Sequence, residues 1–243
     1  MTFDVSISGC FFVMAWSPIA WNQKRYVRTE SIARPRAQGR ALGALRALGD
    51  LPGVSRLLLV YFHYHLAFAV YPSVWSYFGK AQFGWSPAMI GGSLALFGAA
   101  MAVVQGGLIR PVLHRFAERG TVLIGFVCSI TTFGLIATVT WGSAILILTP
   151  LAALAGVIPP ALQALMSARV TPERQGALQG LLTSASALAM VVAPLVMTSV
   201  FAAFTSASTP VYFAGAPFVL SMILSVVALV VFRRVRINPA HVD

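Results

Sequence analysis

Polar residues all but vanish from this chain over six stretches, 54–77, 89–109, 121–141, 144–167, 177–203 and 211–232. Each is long enough to cross a bilayer as a helix, which takes about 20 mostly apolar residues. The pattern predicts an all-α fold, a polytopic membrane helix bundle over 54–232. A weaker apolar run, 1–21, contains Phe3, Val5, Ile7, Phe11, Phe12, Val13, Met14, Trp16, Ile19 and Trp21, interrupted by Asp4 and Pro18. A secretory signal has a basic start and a small-residue cleavage site. This run starts acidic and is followed by Lys24 and Arg25, which favours a short additional span with Met1 outside. Residues 22–53 form a basic linker, and 233–243 form a tail. Within the linker, 41–48 places Leu42, Leu45 and Leu48 on one helical face. That stretch is either a short interfacial helix or, the favoured expectation, plain linker leading into the first long span.

Charge then orients the bundle. Of seventeen Lys and Arg residues, all but Lys80 fall in alternate loops. Lys24 to Arg56 precede the first long span, Arg110, Arg115 and Arg119 follow the second, Arg169 and Arg174 follow the fourth, and Arg233, Arg234 and Arg236 follow the sixth. Positive loops stay cytoplasmic during insertion. These segments, and Asp243 with them, are therefore expected inside, and Lys80 outside, with the chain in the plasma (inner) membrane.

Only 9% of the residues are charged, against about 25% in a soluble domain. The net charge of +11 is accounted for by loop bases that set topology and meet anionic lipid, so no nucleic-acid partner is expected. Cys10 and Cys128 both lie in apolar runs without disulfide or metal spacing. No nucleophile–base set, phosphate loop or metal cluster is recognisable. The chain is therefore not expected to be an enzyme, and no cofactor is expected.

The candidate chemistry lies in the few polar groups at membrane depth. Within 54–232 the acids are Glu118 and Glu173, both in loops. His63 and His65 are the embedded titratable pair. About 200° apart on a helix, they cannot share one site. His65 is preferred as a cavity residue, near Tyr61 and one turn from the region kinked by Pro72. Gln105, Gln163 and Gln179 must each face protein or water, because an unpaired amide is costly in hydrocarbon. They serve either as interhelical glue or as cavity polar groups. Gln163, beside Pro159 and Pro160, is the best cavity candidate. Tyr71, Trp75 and Phe97 suit an aromatic wall, although Trp75 is more readily an interfacial anchor. Small residues on the second span (Gly91, Gly92, Gly98, Gly106, Gly107) and the fifth (Gly176, Gly180, Ser184, Ala185, Ala187, Ala189) suit close helix packing. In the loop before the fifth span, Thr171 can cap, Pro172 suits the first helical position, and Glu173 complements the helix N-terminus.

Two linked stretches carry a family pattern: 160–169, Pro-Ala-Leu-Gln-Ala-Leu-Met-Ser-Ala-Arg, then 172–180, Pro-Glu-Arg-Gln-Gly-Ala-Leu-Gln-Gly. Together they resemble the junction of the tenth and eleventh helices in the tetracycline-resistance branch of the major facilitator superfamily. Trp75–Gly79 with Phe83–Ser86 is similar to the outer end of that family's seventh helix and the following loop. Arg115–Phe116–Ala117–Glu118–Arg119 is similar to its loop between the eighth and ninth helices, with Ala117 where glycine is usual. The resemblance spans roughly 28–233.

The resemblance implies a twelve-span transporter built from two six-helix halves around a midplane cavity. This chain would supply the second half, with 1–21 as the end of the sixth helix and 22–53 as the central loop. It implies proton-coupled efflux of an amphipathic small molecule, with either a missing first half or a second copy as partner in the lipid bilayer. The rival expectation is a non-transporting membrane fragment that acts only by association. On this alignment Ser129 stands where the tetracycline exporters carry a ninth-helix acid, which speaks against tetracycline itself as the substrate. The substrate-cavity candidates are His65, Gln105, Ser129, Gln163 and Tyr71. The gating and loop motif comprises Arg115, Glu118, Arg119, Pro159, Pro160, Arg169, Glu173, Arg174, Gly176 and Gly180.

Overall fold

The computed structural model describes residues 54–206 and 212–235, all within one compact unit, Ala41–Asp243. The expected span 1–21, the linker 22–53 and the tail beyond 235 lie outside the described residues. Eight α-helices follow in order: α1 Val54–Phe68, α2 Val70–Phe83, α3 Pro87–Val103, α4 Ile109–Thr138, α5 Gly142–Leu154, α6 Ile158–Ser167, α7 Gln175–Thr205 and α8 Ala216–Arg233. A π turn, Val104–Leu108, joins α3 to α4, and a 3-10 turn, Ala155–Val157, joins α5 to α6. No strand occurs among the described residues. The structure is the all-α membrane helix bundle expected from the apolar runs.

Joined end to end, these helices make five runs long and apolar enough to cross a membrane: Val54–Phe83, Pro87–Thr138, Gly142–Ser167, Pro172–Thr205 and Ala216–Arg233. The second has 52 residues, roughly 78 Å at 1.5 Å per residue, more than twice the hydrocarbon thickness of about 30 Å. It is two helices in series. At Ala117 the backbone leaves the helical region for φ 52°, ψ 177°, inside the charged stretch Arg115–Arg119. The break divides the run into 87–116 and 118–138, each of membrane length.

Local chemistry explains the other interruptions. Pro72 has no N–H to give the Phe68 carbonyl, and the helical run breaks at Ala69 between α1 and α2. The next carbonyl, that of Ala69, takes two bonds from Ser73, whose backbone N and Oγ both donate to it, Oγ at 2.6 Å. Pro159 and Pro160 occupy the first turn of α6, where a missing N–H costs nothing. The double proline thus starts a helix just beyond the 3-10 turn and does not kink one. Ser86 caps α3, its Oγ accepting from Met89 N at 3.3 Å. Thr171 makes no such side-chain cap, contrary to the expectation from sequence. The turn there is held by Gln175. Its Nε2 donates to the Ser167 and Val170 carbonyls at 2.9 and 3.1 Å, and its Oε1 accepts from Ser167 Oγ at 2.9 Å.

The core has two main clusters along the bundle. One gathers Val54, Leu57, Tyr61, Phe126, Leu162 and Phe232. The other gathers Tyr71, Trp75, Phe78, Phe133, Met197 and Phe218. Glycine permits two close approaches. A Cβ on Gly125 would lie 2.5 Å from Ile158, and one on Gly142 would lie 2.5 Å from the Trp85 indole nitrogen. The glycines singled out for packing behave differently. At Gly91, Gly92, Gly98, Gly106, Gly107, Gly176 and Gly180 an added Cβ would meet no neighbouring atom within 4 Å. The expectation that they mediate packing inside this bundle is therefore corrected: their faces on α3, the π turn and α7 are bare. Along α7, Leu188, Val191 and Leu195 are more than half exposed.

Candidate functional site

Three polar side chains converge where α1 meets α6. Gln163 Nε2 donates to the Tyr61 hydroxyl at 3.4 Å. His65 Nδ1 donates to the Tyr61 carbonyl at 2.9 Å, and the two rings lie 4.2 Å apart. Tyr61 is buried, while His65 and Gln163 are half-buried. The helical repeat makes this possible, since residues four apart on α1 share a face. His63, two residues from His65, turns to a separate partner, its Nδ1 at 2.8 Å from the Leu59 carbonyl.

The other cavity candidates are dispersed. Tyr71 is buried in an aromatic cluster, 5.0 Å from Phe97 and 5.6 Å from Trp75 between ring centres. A cavity of about 10 Å³ adjoins it, lined by Trp75, Ser93, Phe97 and Thr149 among others, room for about one water. Trp75 is itself buried, its Nε1 donating to Ser93 Oγ at 2.9 Å. An interfacial indole would leave that N–H to water, so the anchor expected from sequence is corrected to an interior residue. Ser129 is buried and lies 3.4 Å from Ser225 Oγ across the α4–α8 contact. Thr132, one turn on, has a buried hydroxyl without a partner among the described residues. Gln105 is exposed on the π turn, near the 3-10 turn that carries Gly156. Gln179 is exposed on α7.

The loop motif separates into two places. Arg115, Glu118 and Arg119 are exposed around the Ala117 break, and Thr121 Oγ1 donates to the Ala117 carbonyl at 2.7 Å. At the α6–α7 turn, Glu173 and Arg174 are exposed. Arg169 is half-buried, and its buried Nη1 has no partner among the described residues. Burial pushes its guanidinium below the usual arginine range. Among the described residues no group of three His, Cys, Asp or Glu comes together to hold a metal. Sequence reasoning gave Tyr61 and Gln175 no role of their own. A tyrosine in an apolar run looks like core, and Gln175 looked like one more loop residue. The signal that was available is spacing: Tyr61 lies four residues before His65, and Gln175 eight after Ser167.

Comparisons with known proteins give the family. The family model for the Major Facilitator Superfamily matches residues 57–242. The class G tetracycline resistance protein of Vibrio anguillarum is 36% identical over 78% of this chain and 47% of its own length. The class C protein of Escherichia coli is 35% identical over 74% of this chain and 44% of its own. Among solved structures, the human organic anion transporter MFSD10 (TETRAN) superposes with a TM-score of 0.67 at 26% identity, covering 79% of this chain and 46% of that one. The chain thus spans about half the length of the curated relatives it matches. With all-α architecture, membrane-length helices and these relatives, this multi-pass membrane protein belongs to the Major Facilitator Superfamily, in its tetracycline-resistance branch.

Proposed function

We infer that this chain is the second six-helix half of a proton-coupled exporter of amphipathic small molecules, incomplete without a first half. The observation that carries this is the pair of bare faces. The glycines of α3 and α7 meet nothing within the described residues, while the chain matches only about half of each relative. Glycine faces suit close helix contact in lipid, where packing and not hydrophobicity drives association. The proposed orientation puts Arg46, Arg115, Arg174 and Asp243 on the cytoplasmic side of the inner membrane and Lys80 outside. The family's members are transporters and not enzymes, and the proposed action is alternating access around a midplane site.

Surface protection tests this reading. Gly91→Cys and Gly176→Cys, each in a background with Cys10 and Cys128 replaced, lie near opposite ends of the two bare faces. A maleimide should label both in the chain alone. Co-expression with the first half of a class G or class C relative should shield both. Equal labelling with and without that half would contradict the pairing. Shielding in the chain alone, rising with its density in the membrane, would replace the missing half by a second copy.

A further inference from the structure

We propose that Tyr61, His65 and Gln163 form a ligand subsite for an amine, one that takes the N–H donor of an amphipathic amine on two acceptor atoms. The inference rests on the transport reading above and specifies the substrate class of one of its sites. It follows from counting hydrogen-bond roles. The Tyr61 carbonyl can only accept, so the His65 Nδ1 at 2.9 Å must carry the hydrogen. In the neutral ring, Nε2 then holds the lone pair. Gln163 gives an Nε2 hydrogen to the Tyr61 hydroxyl, leaving Oε1 as its unused acceptor. Neither His65 Nε2 nor Gln163 Oε1 has a further partner among the described residues, and both side chains are only half-buried. Tyr61 thus fixes both neighbours so that each offers an acceptor. Acceptors without a donor are costly at membrane depth. A ligand bearing N–H groups on an apolar body satisfies both.

Among the described residues of the helices packed on α1, no fixed charge lies close by to select an anion. Besides Tyr61, the titratable neighbour touching His65 on its own helix is Tyr64, at 5.3 Å between ring centres. Of the elements packed on α1, α6 and α7 carry no ionisable side chain. On α8 the last residue, Arg233, is exposed at the helix end. On α2 the ionisable groups are Tyr71, buried in the aromatic cluster, and Tyr77 and Lys80, both exposed. Protonation of His65 would convert Nε2 from acceptor to cationic donor and repel an ammonium. One proton taken up at Nε2 would therefore displace one amine, the exchange an antiporter needs.

Equilibrium binding to the purified full chain in nanodiscs tests this. The probes share a dansyl-alkyl body and end in a primary amine, a trimethylammonium or a carboxylate. The amine should bind best. The trimethylammonium, equally charged but without N–H, should bind about tenfold more weakly, the loss expected for one or two hydrogen bonds. The carboxylate should bind more weakly still. His65→Ala and Gln163→Leu should each weaken amine binding several-fold. His65→Gln, which keeps an acceptor, should restore part of it. Lowering the pH from about 8, so that His65 takes up a proton, should weaken amine binding in the parent chain but not in His65→Ala. Circular-dichroism melts show whether each variant is folded, and Tyr61→Phe serves as a conservative third variant. Equal binding of amine and trimethylammonium, preference for the carboxylate, or no amine binding to the parent chain would each overturn the subsite. None of these results touches the pairing with a first half, which the protection experiment reads separately.

Discussion

Replacing Ala117 by glycine should stabilise this protein. Ala117 has φ 52° and ψ 177°, a region occupied almost solely by glycine, because a Cβ there crowds the backbone. A residue held in such a conformation costs on the order of 1–3 kcal/mol. The side chain offers no compensating packing, since Ala117 is exposed. The turn is tied by a bond that Ala117→Gly would keep, Thr121 Oγ1 donating to the residue 117 carbonyl at 2.7 Å. Glycine also frees the unfolded chain, which returns about 0.5–1 kcal/mol of the gain. The net expectation is a stabilisation of roughly 0.5–2 kcal/mol. The assay is reversible unfolding of the purified chain in mixed micelles by titrated denaturing detergent, followed by tryptophan fluorescence. Ala117→Val, which adds a β-branched side chain in the same conformation, should move the midpoint the other way. A neutral or destabilising Ala117→Gly would refute the strain argument and with it the placement of the break at residue 117.

Five further substitutions separate the contacts that matter. Gly125→Val places atoms into Ile158 on α6 and should cost about 1–3 kcal/mol by overpacking, whereas Gly180→Ala, on a bare face, should leave inserted yield of the chain alone unchanged. Trp75→Phe removes the donor to Ser93 Oγ and should cost about 1 kcal/mol or somewhat more in the same unfolding assay. Gln175→Leu strips the side-chain partners from the Ser167 and Val170 carbonyls and should cost about 1–3 kcal/mol, clearly more than Thr171→Ala, which removes no cap.

The helices were legible in the sequence because a membrane span needs little more than an uninterrupted apolar run. Their ends were less so: α2 continues to Phe83 through Lys80 and Gln82, since helical hydrogen bonds do not stop where the apolar run does. The charged Arg115–Arg119 stretch marked a loop, but nothing in an alanine announces a positive φ. Trp75 read as an interfacial indole because its partner, Ser93, lies eighteen residues away, beyond any local pattern. Glycines were the least legible. Gly125 and Gly180 look alike in their apolar surroundings, yet one lies against Ile158 and the other against nothing. That difference is set by which helices meet, and it is a tertiary fact. His65 and Gln163 stood out as polar residues in apolar runs. Their joint attachment to Tyr61 depends on α1 crossing α6, which neither segment encodes alone.

Efflux measured in proteoliposomes tests the central claim most directly. The chain alone, given an imposed pH gradient and a fluorescent amphipathic substrate, should show no gradient-driven transport. Co-reconstituted with the first half of a tetracycline-resistance relative, it should transport, and transport should disappear when the gradient is collapsed. Gradient-driven efflux by this chain alone, lost in His65→Ala, would contradict the account and establish a homodimeric antiporter in place of half a transporter.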